Sequence, residues 1–270
     1  MSAALPVTLI VDGAVAHLTL ERPEALNALN RAMAAALERA LEDLAASPAV
    51  AVVVRGRGRA FCAGNDLKEM PSLGREEAER LSHRWEAIVD GFARLPQVTI
   101  AAVHGYALGG GCMLAVAQDL RIAAVSARFG LPEVTLGFNP SYGIARFLDV
   151  AGGGPGRDLL LTGRAVDAGE ALRLGLVSRV VPDEALDAEA GKLAADIARC
   201  PRAGLAAAKR VVAEIRAGRA GDAGGSYGAA LWEGEGAQAK LAAFAARERA
   251  GTSAAPVRPH GGAPGTGDTP

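Results

Sequence analysis

Two turns in this sequence are suited to presenting backbone N–H groups. FCAGNDL, residues 61–67, and GYALGGGCML, residues 105–114, each follow a run that reads as a buried strand, AVAVVVRG and VTIAAVHG. The second turn opens an apolar helix, where first-turn N–H groups lack intrahelical partners and the dipole favours negative charge. Gly109, Gly110 and Gly111 each cost that helix about 0.5–1 kcal/mol relative to alanine, but without a Cβ they let another atom approach the backbone closely. Two N–H groups converging from two such turns make an oxyanion hole, worth about 3–4 kcal/mol per donor where charge develops on a carbonyl oxygen. Taken by itself, a run of three glycines more often serves tight helix packing. It fits no nucleotide signature: GxxxxGK[ST] is absent, and no GxGxxG opens a strand-turn-helix unit.

The elements that must hold these turns alternate along the chain. VTLIV and AVAHLTL, separated by Asp12-Gly13, read as a hairpin. Asn30 can cap a helix over about 31–46, where Met33, Leu37, Leu41 and Leu44 repeat at three- and four-residue steps. A second helix is expected over about 75–94, with Trp85, Ile88 and Phe92 on its apolar face, and a third over about 109–117. DLRIAAV reads as a strand; Asp167 and Glu170 have capping-box spacing, Gly175 stops that helix and Pro182 ends a strand. Strand-helix alternation makes the chain α/β. From about residue 184 to 250 the pattern changes to alanine-rich helices, interrupted near RAGDAGGSYG, and residues 251–270 have the Gly/Pro/Ser/Thr composition of a disordered tail.

The 270 residues suffice for a sizeable core, and Lys plus Arg (29) nearly balance Asp plus Glu (30). That balance argues against a nucleic-acid or membrane partner held by global charge, so an anionic ligand needs local cations. Cys62, Cys112 and Cys200 show no CxxC spacing, which indicates neither a disulfide framework nor a metal site and fits a reducing cytosol. No secretory leader or membrane span is read, so the expected location is cytoplasmic.

Four stretches together, RAFCAGNDLKEM, IAAVHGYALGGGCMLAVAQDLRIAA, RFGLPEVTLGFNP and LLLTGRAVDAGEALRLGLVSRVVP, closely resemble the enoyl-CoA hydratase/isomerase family, the crotonase superfamily. The similarity runs from about residue 7 to 250, and ERPEALNALN fits the family's early CoA-binding loop. The resemblance implies a crotonase-like spiral of strand-strand-helix units over residues 1–190, with a C-terminal helical part over 191–250. It also implies a homotrimer or a pair of trimers, and an acyl-CoA thioester substrate that brings its own coenzyme A, with no further cofactor. The oxyanion donors fall on Asn65 and Gly110. Ala25, Leu26 and Ala63 match positions along the CoA, and Arg59 and Lys68 match basic positions near its phosphates.

Glu133, in LPEV, matches one of the two glutamates a hydratase uses for proton transfer; the other falls on Met113. Adding water to a 2-enoyl thioester needs water deprotonated at C3 and a proton delivered at C2, work that methionine cannot share. Moving a double bond from C3 to C2 needs one base, which takes a C2 proton and returns it to C4. The expectation is therefore a Δ3,Δ2-enoyl-CoA isomerase with Glu133 as the shuttle. The alternatives are a hydratase or dehydratase with an unusual second acid-base group, and a non-catalytic acyl-CoA binder. Ser141 stands where some relatives carry aspartate, Tyr142 can reach a substrate or pack, Glu86 reads as a solvated helix residue, and His17, His83 and His104 read as structural.

Overall fold

The structure, a computed structural model, describes residues 5–70, 74–216, 218, 231–232 and 234–249. The chain divides into two compact units, Met1–Gly224 and Gly225–Pro270. Among the described residues, nine strands lie in the first: β1 (Val7–Asp12), β2 (Val15–Leu20), β3 (Ala51–Gly56), β4 (Val98–Val103), β5 (Tyr106–Leu108), β6 (Leu120–Ala124), β7 (Arg128–Gly130), β8 (Ala165–Asp167) and β9 (Arg179–Val181). They form a six-stranded sheet in the order β1-β2-β3-β4-β6-β9 and a three-stranded sheet in the order β5-β7-β8. β1 and β2 are antiparallel, and from β2 onward the large sheet is parallel.

The hairpin turn is shifted by one residue from the expected Asp12-Gly13. Asp12 pairs with Val15 inside the ladder, which leaves Gly13 and Ala14 as the loop, with Gly13 at φ 56°. A positive φ at the first loop residue matches the twist of the two strands, and glycine adopts it without strain.

The helices of this unit are α1 (Arg31–Ala46), α2 (Arg75–Arg94), α3 (Gly110–Ala117), α4 (Ile144–Ala151), α5 (Gly153–Thr162), α6 (Ala168–Arg173), α7 (Leu186–Ala198) and α8 (Arg202–Arg216). The central strands carry apolar runs, Ala51–Val54 in β3 and Ile100–Val103 in β4, because both faces of the sheet are covered there. Val52, Val54, Ala101, Val103 and Ala123 share a core with Leu37 and Leu44 of α1 and Ile88 and Phe92 of α2. Ala51, Val53, Ile100, Ala102 and Ile122 point the other way, against Leu186, Ala190 and Ala194 of α7. α7 spans the expected boundary at residue 190, and the compact unit continues to Gly224.

Asn30 caps α1, its side-chain oxygen accepting the Met33 N–H at 2.8 Å. Asn30→Ala should destabilise the protein by about 1 kcal/mol, read as a lower urea midpoint at unchanged slope. In the second unit, α9 spans Glu235–Arg249. The expected break at RAGDAGGSYG and the tail at 251–270 lie outside the described residues. Among the described residues, no helix is long and apolar enough to cross a membrane.

Candidate active site

The small sheet joins the two glycine-bearing turns. The Phe61 N–H donates to His104 O at 2.8 Å, Cys62 N–H to Tyr106 O at 2.9 Å, and Leu108 N–H to Cys62 O at 3.1 Å, so the turns run side by side. A third segment closes the group: Leu29 N–H donates to Gly64 O at 2.8 Å, Asp66 N–H to Leu29 O at 2.9 Å, and Ala63 N–H to Leu26 O at 3.0 Å.

Each glycine of the run admits a different neighbour. A Cβ on Gly109 would stand 2.8 Å from Glu133 Oε1, one on Gly110 would stand 2.1 Å from the Tyr142 hydroxyl, and one on Gly111 would stand 2.1 Å from the Cys62 carbonyl oxygen. Contacts that close between a real Cβ and its neighbours do not occur, so close packing explains the run's composition. At the same point the N–H groups of Asn65 and Gly110 have no protein acceptor among the described residues. The two turns abut there, with Gly110 N 3.4 Å from where a Gly64 Cβ would lie.

Gly110 is the first residue of α3, whose eight residues are all buried. Arg121 donates to Gln118 O at 2.7 Å and Arg146 to Ala117 O at 2.6 Å, which places two guanidinium groups at the carbonyl end of α3. Cations there balance the negative pole of the dipole, while its positive pole faces the Asn65 turn.

The turns open on a cleft of about 300 Å³. Its lining includes Ala63, Asn65, Gly110, Met113, Glu133, Ser141 and Tyr142, which brings together seven of the residues singled out in the sequence. Leu26, Ala25, Arg59 and Lys68 are not part of the wall; the Leu26 carbonyl accepts the Ala63 N–H, and Arg59 and Lys68 are exposed. The wall also takes Ala78, Leu81 and Trp85 from α2. Trp85 was legible as part of an apolar helix face, but helical spacing does not tell a core face from a cleft wall.

Glu133 sits in a short 3-10 turn, Pro132–Leu136, opened by a proline that suits the first position of a helix. Its Oε2 is buried with no hydrogen-bond partner. Burial pushes its carboxyl above the usual carboxylate range, against a smaller opposing effect from its own backbone N–H. The other acids on the wall are engaged: Asp66 pairs with Arg22 at 3.0 Å, and Glu69 accepts the Arg31 N–H at 3.3 Å. Met113 is 1% exposed and adds no polar atom beyond its thioether.

The structure corrects the reading of Glu86. Its carboxylate accepts the Gly143 N–H at 2.7 Å, so this half-buried residue ties α2 to the turn before α4 rather than facing solvent. The thiols of Cys62 and Cys112 are pushed up to about 12 by burial and stay protonated, which makes neither a nucleophile.

Residues 11–224 match the family described as enoyl-CoA hydratase/isomerase. A probable enoyl-CoA hydratase of Mycobacterium leprae is 44% identical over 211 residues, 76% of this chain and 80% of the relative. A crotonyl-CoA hydratase of Syntrophomonas wolfei is 39% identical over 186 residues, 68% of this chain and 72% of the relative. The crystal structure of an enoyl-CoA hydratase from Mycobacterium smegmatis superposes with a TM-score of 0.86 at 36% identity, covering 90% of this chain and 96% of the other. The chain belongs to the enoyl-CoA hydratase/isomerase family, and its mixed α/β architecture is the crotonase fold.

Proposed function

We propose that this protein is an acyl-CoA enzyme that moves a double bond from C3 to C2 of an enoyl thioester. The observation that carries the reading is the presence in one cleft of Glu133, whose Oε2 is buried without a hydrogen-bond partner, and the apolar Met113. In this reading the thioester oxygen accepts from the Asn65 and Gly110 N–H groups. The Glu133 carboxylate removes a proton from C2, the electron pair delocalises onto the thioester oxygen as a dienolate, and the same proton returns to C4. Bond changes balance without water or any co-reactant, and coenzyme A arrives on the substrate. Arg59 and Lys68 supply positive charge for its phosphates outside the cleft wall, and Ala25, Leu26 and Ala63 line its path.

A buried carboxylate suits this work because its affinity for a proton is raised toward neutrality. The bare Oε2 also counts against a purely structural role: a glutamate held for stability would have both carboxylate oxygens partnered, since a buried polar atom without a partner costs free energy.

The relatives are named hydratases, which favours the hydration reading. Hydration needs a second group at the reacting carbons. Ser141 is exposed at the cleft wall, and the Tyr142 hydroxyl donates to Asn65 Oδ1 at 2.7 Å. Met113→Glu would put a carboxylate where a hydratase has one. We expect the parent to hydrate crotonyl-CoA slowly and Met113→Glu to raise that rate at least about tenfold, a tenth of the least gain expected from general acid-base catalysis. The loss of the enoyl ultraviolet band checks this, and fast hydration by the parent would favour the second reading. A panel of saturated, 2-enoyl, 3-enoyl and hydroxyacyl-CoA thioesters, with products identified by mass, tests the substrate class.

A further inference from the structure

Tyr142 is 4% exposed, yet it lies on the cleft wall with its hydroxyl packed against Gly110. Its ring stacks on Trp85 of α2, with centroids 6.1 Å apart and planes 23° apart. Its hydroxyl donates to Asn65 Oδ1 at 2.7 Å. Both ends of that bond stand over Gly110: a Cβ there would lie 2.1 Å from the hydroxyl oxygen and 2.8 Å from Asn65 Oδ1. The hydroxyl thus bonds the turn before α4 to the 61–67 turn and packs against the start of α3.

Burial raises the Tyr142 phenol well above its ordinary value, so it remains a donor at neutral pH. The Asn65 side chain is the handle by which the turn carrying the Asn65 N–H is gripped. Any rotation of that turn would move the N–H relative to Gly110, and catalysis by oriented donors is sensitive to displacements of about 1 Å.

We infer that Tyr142 is a positioning residue: through its bond to the Asn65 side chain it fixes the spacing and direction of the Asn65 and Gly110 N–H groups toward a thioester oxygen. This rests on the oxyanion reading of those two groups, and it is independent of whether the chemistry is isomerisation or hydration. Trp85 sets the ring plane, Tyr142 sets the Asn65 turn, and the turn sets the donor.

The test reads the donors directly. Crotonyl-CoA carrying ¹³C at the thioester carbonyl is bound to the full chain, and the infrared carbonyl stretch is compared with that in water. In the parent the band should move to lower frequency. Tyr142→Phe keeps the aromatic stack and removes the bond; it should reduce the shift by about half and lower kcat about tenfold, with KM changed less than twofold, because an interaction felt mainly in the transition state is lost. Asn65→Ala retains the backbone N–H and should do the same. The double variant should be no worse than either single one, since the two side chains act as one unit. A parental shift that Tyr142→Phe and Asn65→Ala leave unchanged would overturn the positioning role while leaving the oxyanion hole intact. Additive effects would also overturn it. No shift in the parent would remove the oxyanion reading itself, and this inference with it.

Discussion

Glu133→Gln should lower the rate of 3-enoyl-CoA isomerisation by at least about 100-fold, the lower end of what a positioned general acid-base group contributes. Glutamine keeps the size of the side chain and cannot take a proton, so the loss should fall on kcat while KM holds. The same change should make the protein more stable at neutral pH. Burial raises the folded-state affinity of Glu133 for its proton. For an acid shifted in that direction, the folded state binds more protons than the unfolded state between the two pKa values, so stability falls as pH rises through that window. The destabilising contribution is absent below the unfolded value and fully present above the folded one. Glu133→Gln should therefore raise Tm at pH 7 and leave it unchanged in acid below the unfolded carboxyl range. Full turnover in this variant would sink the assignment of Glu133 as the shuttle, and an unchanged Tm at pH 7 would contradict the burial argument.

Gly111→Ala should destabilise the protein by about 3 kcal/mol or more, at the upper end of overpacking costs. In an open helix the same replacement gains about 0.5–1 kcal/mol, because alanine is the better helix former. Here the new Cβ would stand 2.1 Å from the Cys62 carbonyl oxygen and 2.7 Å from its carbon. Those are backbone atoms of the neighbouring turn, held by the Leu108 N–H at 3.1 Å, so they cannot swing aside as a side chain would. The two turns must separate, and the Asn65 and Gly110 donors with them. Activity should be lost along with stability. Gly191→Ala is the control: it lies within α7, a Cβ there meets nothing within 4 Å, and it should stabilise. Urea denaturation of both variants checks the opposite signs; a stable, active Gly111→Ala would show that the turns are not locked together.

The sequence made the central strands legible because burial on both faces writes continuous apolar runs, as in Ala51–Val54 and Ile100–Val103. β5, β7 and β8 were not legible, since three residues hold little more than one period of strand alternation and no proline directly follows them as Pro182 follows β9. Yet β5 carries bonds that hold the two turns side by side, and β7 pairs with β5 on its other edge. The capping box was half right: Asp167 accepts the Glu170 N–H at 2.8 Å, but the Glu170 carboxylate takes Arg164 at 2.8 Å instead of reaching back. A nearby guanidinium outcompetes the backbone N–H for a charged acceptor. At the site, Glu133 and Met113 were singled out by resemblance alone, because residues 20 apart in sequence carry no spacing rule that would bring them to one cleft. The Tyr142–Asn65 bond was invisible for the same reason, joining residues 77 apart. What composition does show, three glycines in a row, is a packing requirement whose by-product is an open pair of N–H groups.

The most direct test compares two rates on one preparation: conversion of a 3-enoyl-CoA to its trans-2 isomer, and hydration of the 2-enoyl-CoA of the same chain length, under identical conditions. With Glu133 as the shuttle and no carboxylate at position 113, isomerisation should exceed hydration by at least about 100-fold, the contribution of the missing second group. Hydration as fast as isomerisation, in a protein that still carries Met113, would contradict the single-shuttle chemistry.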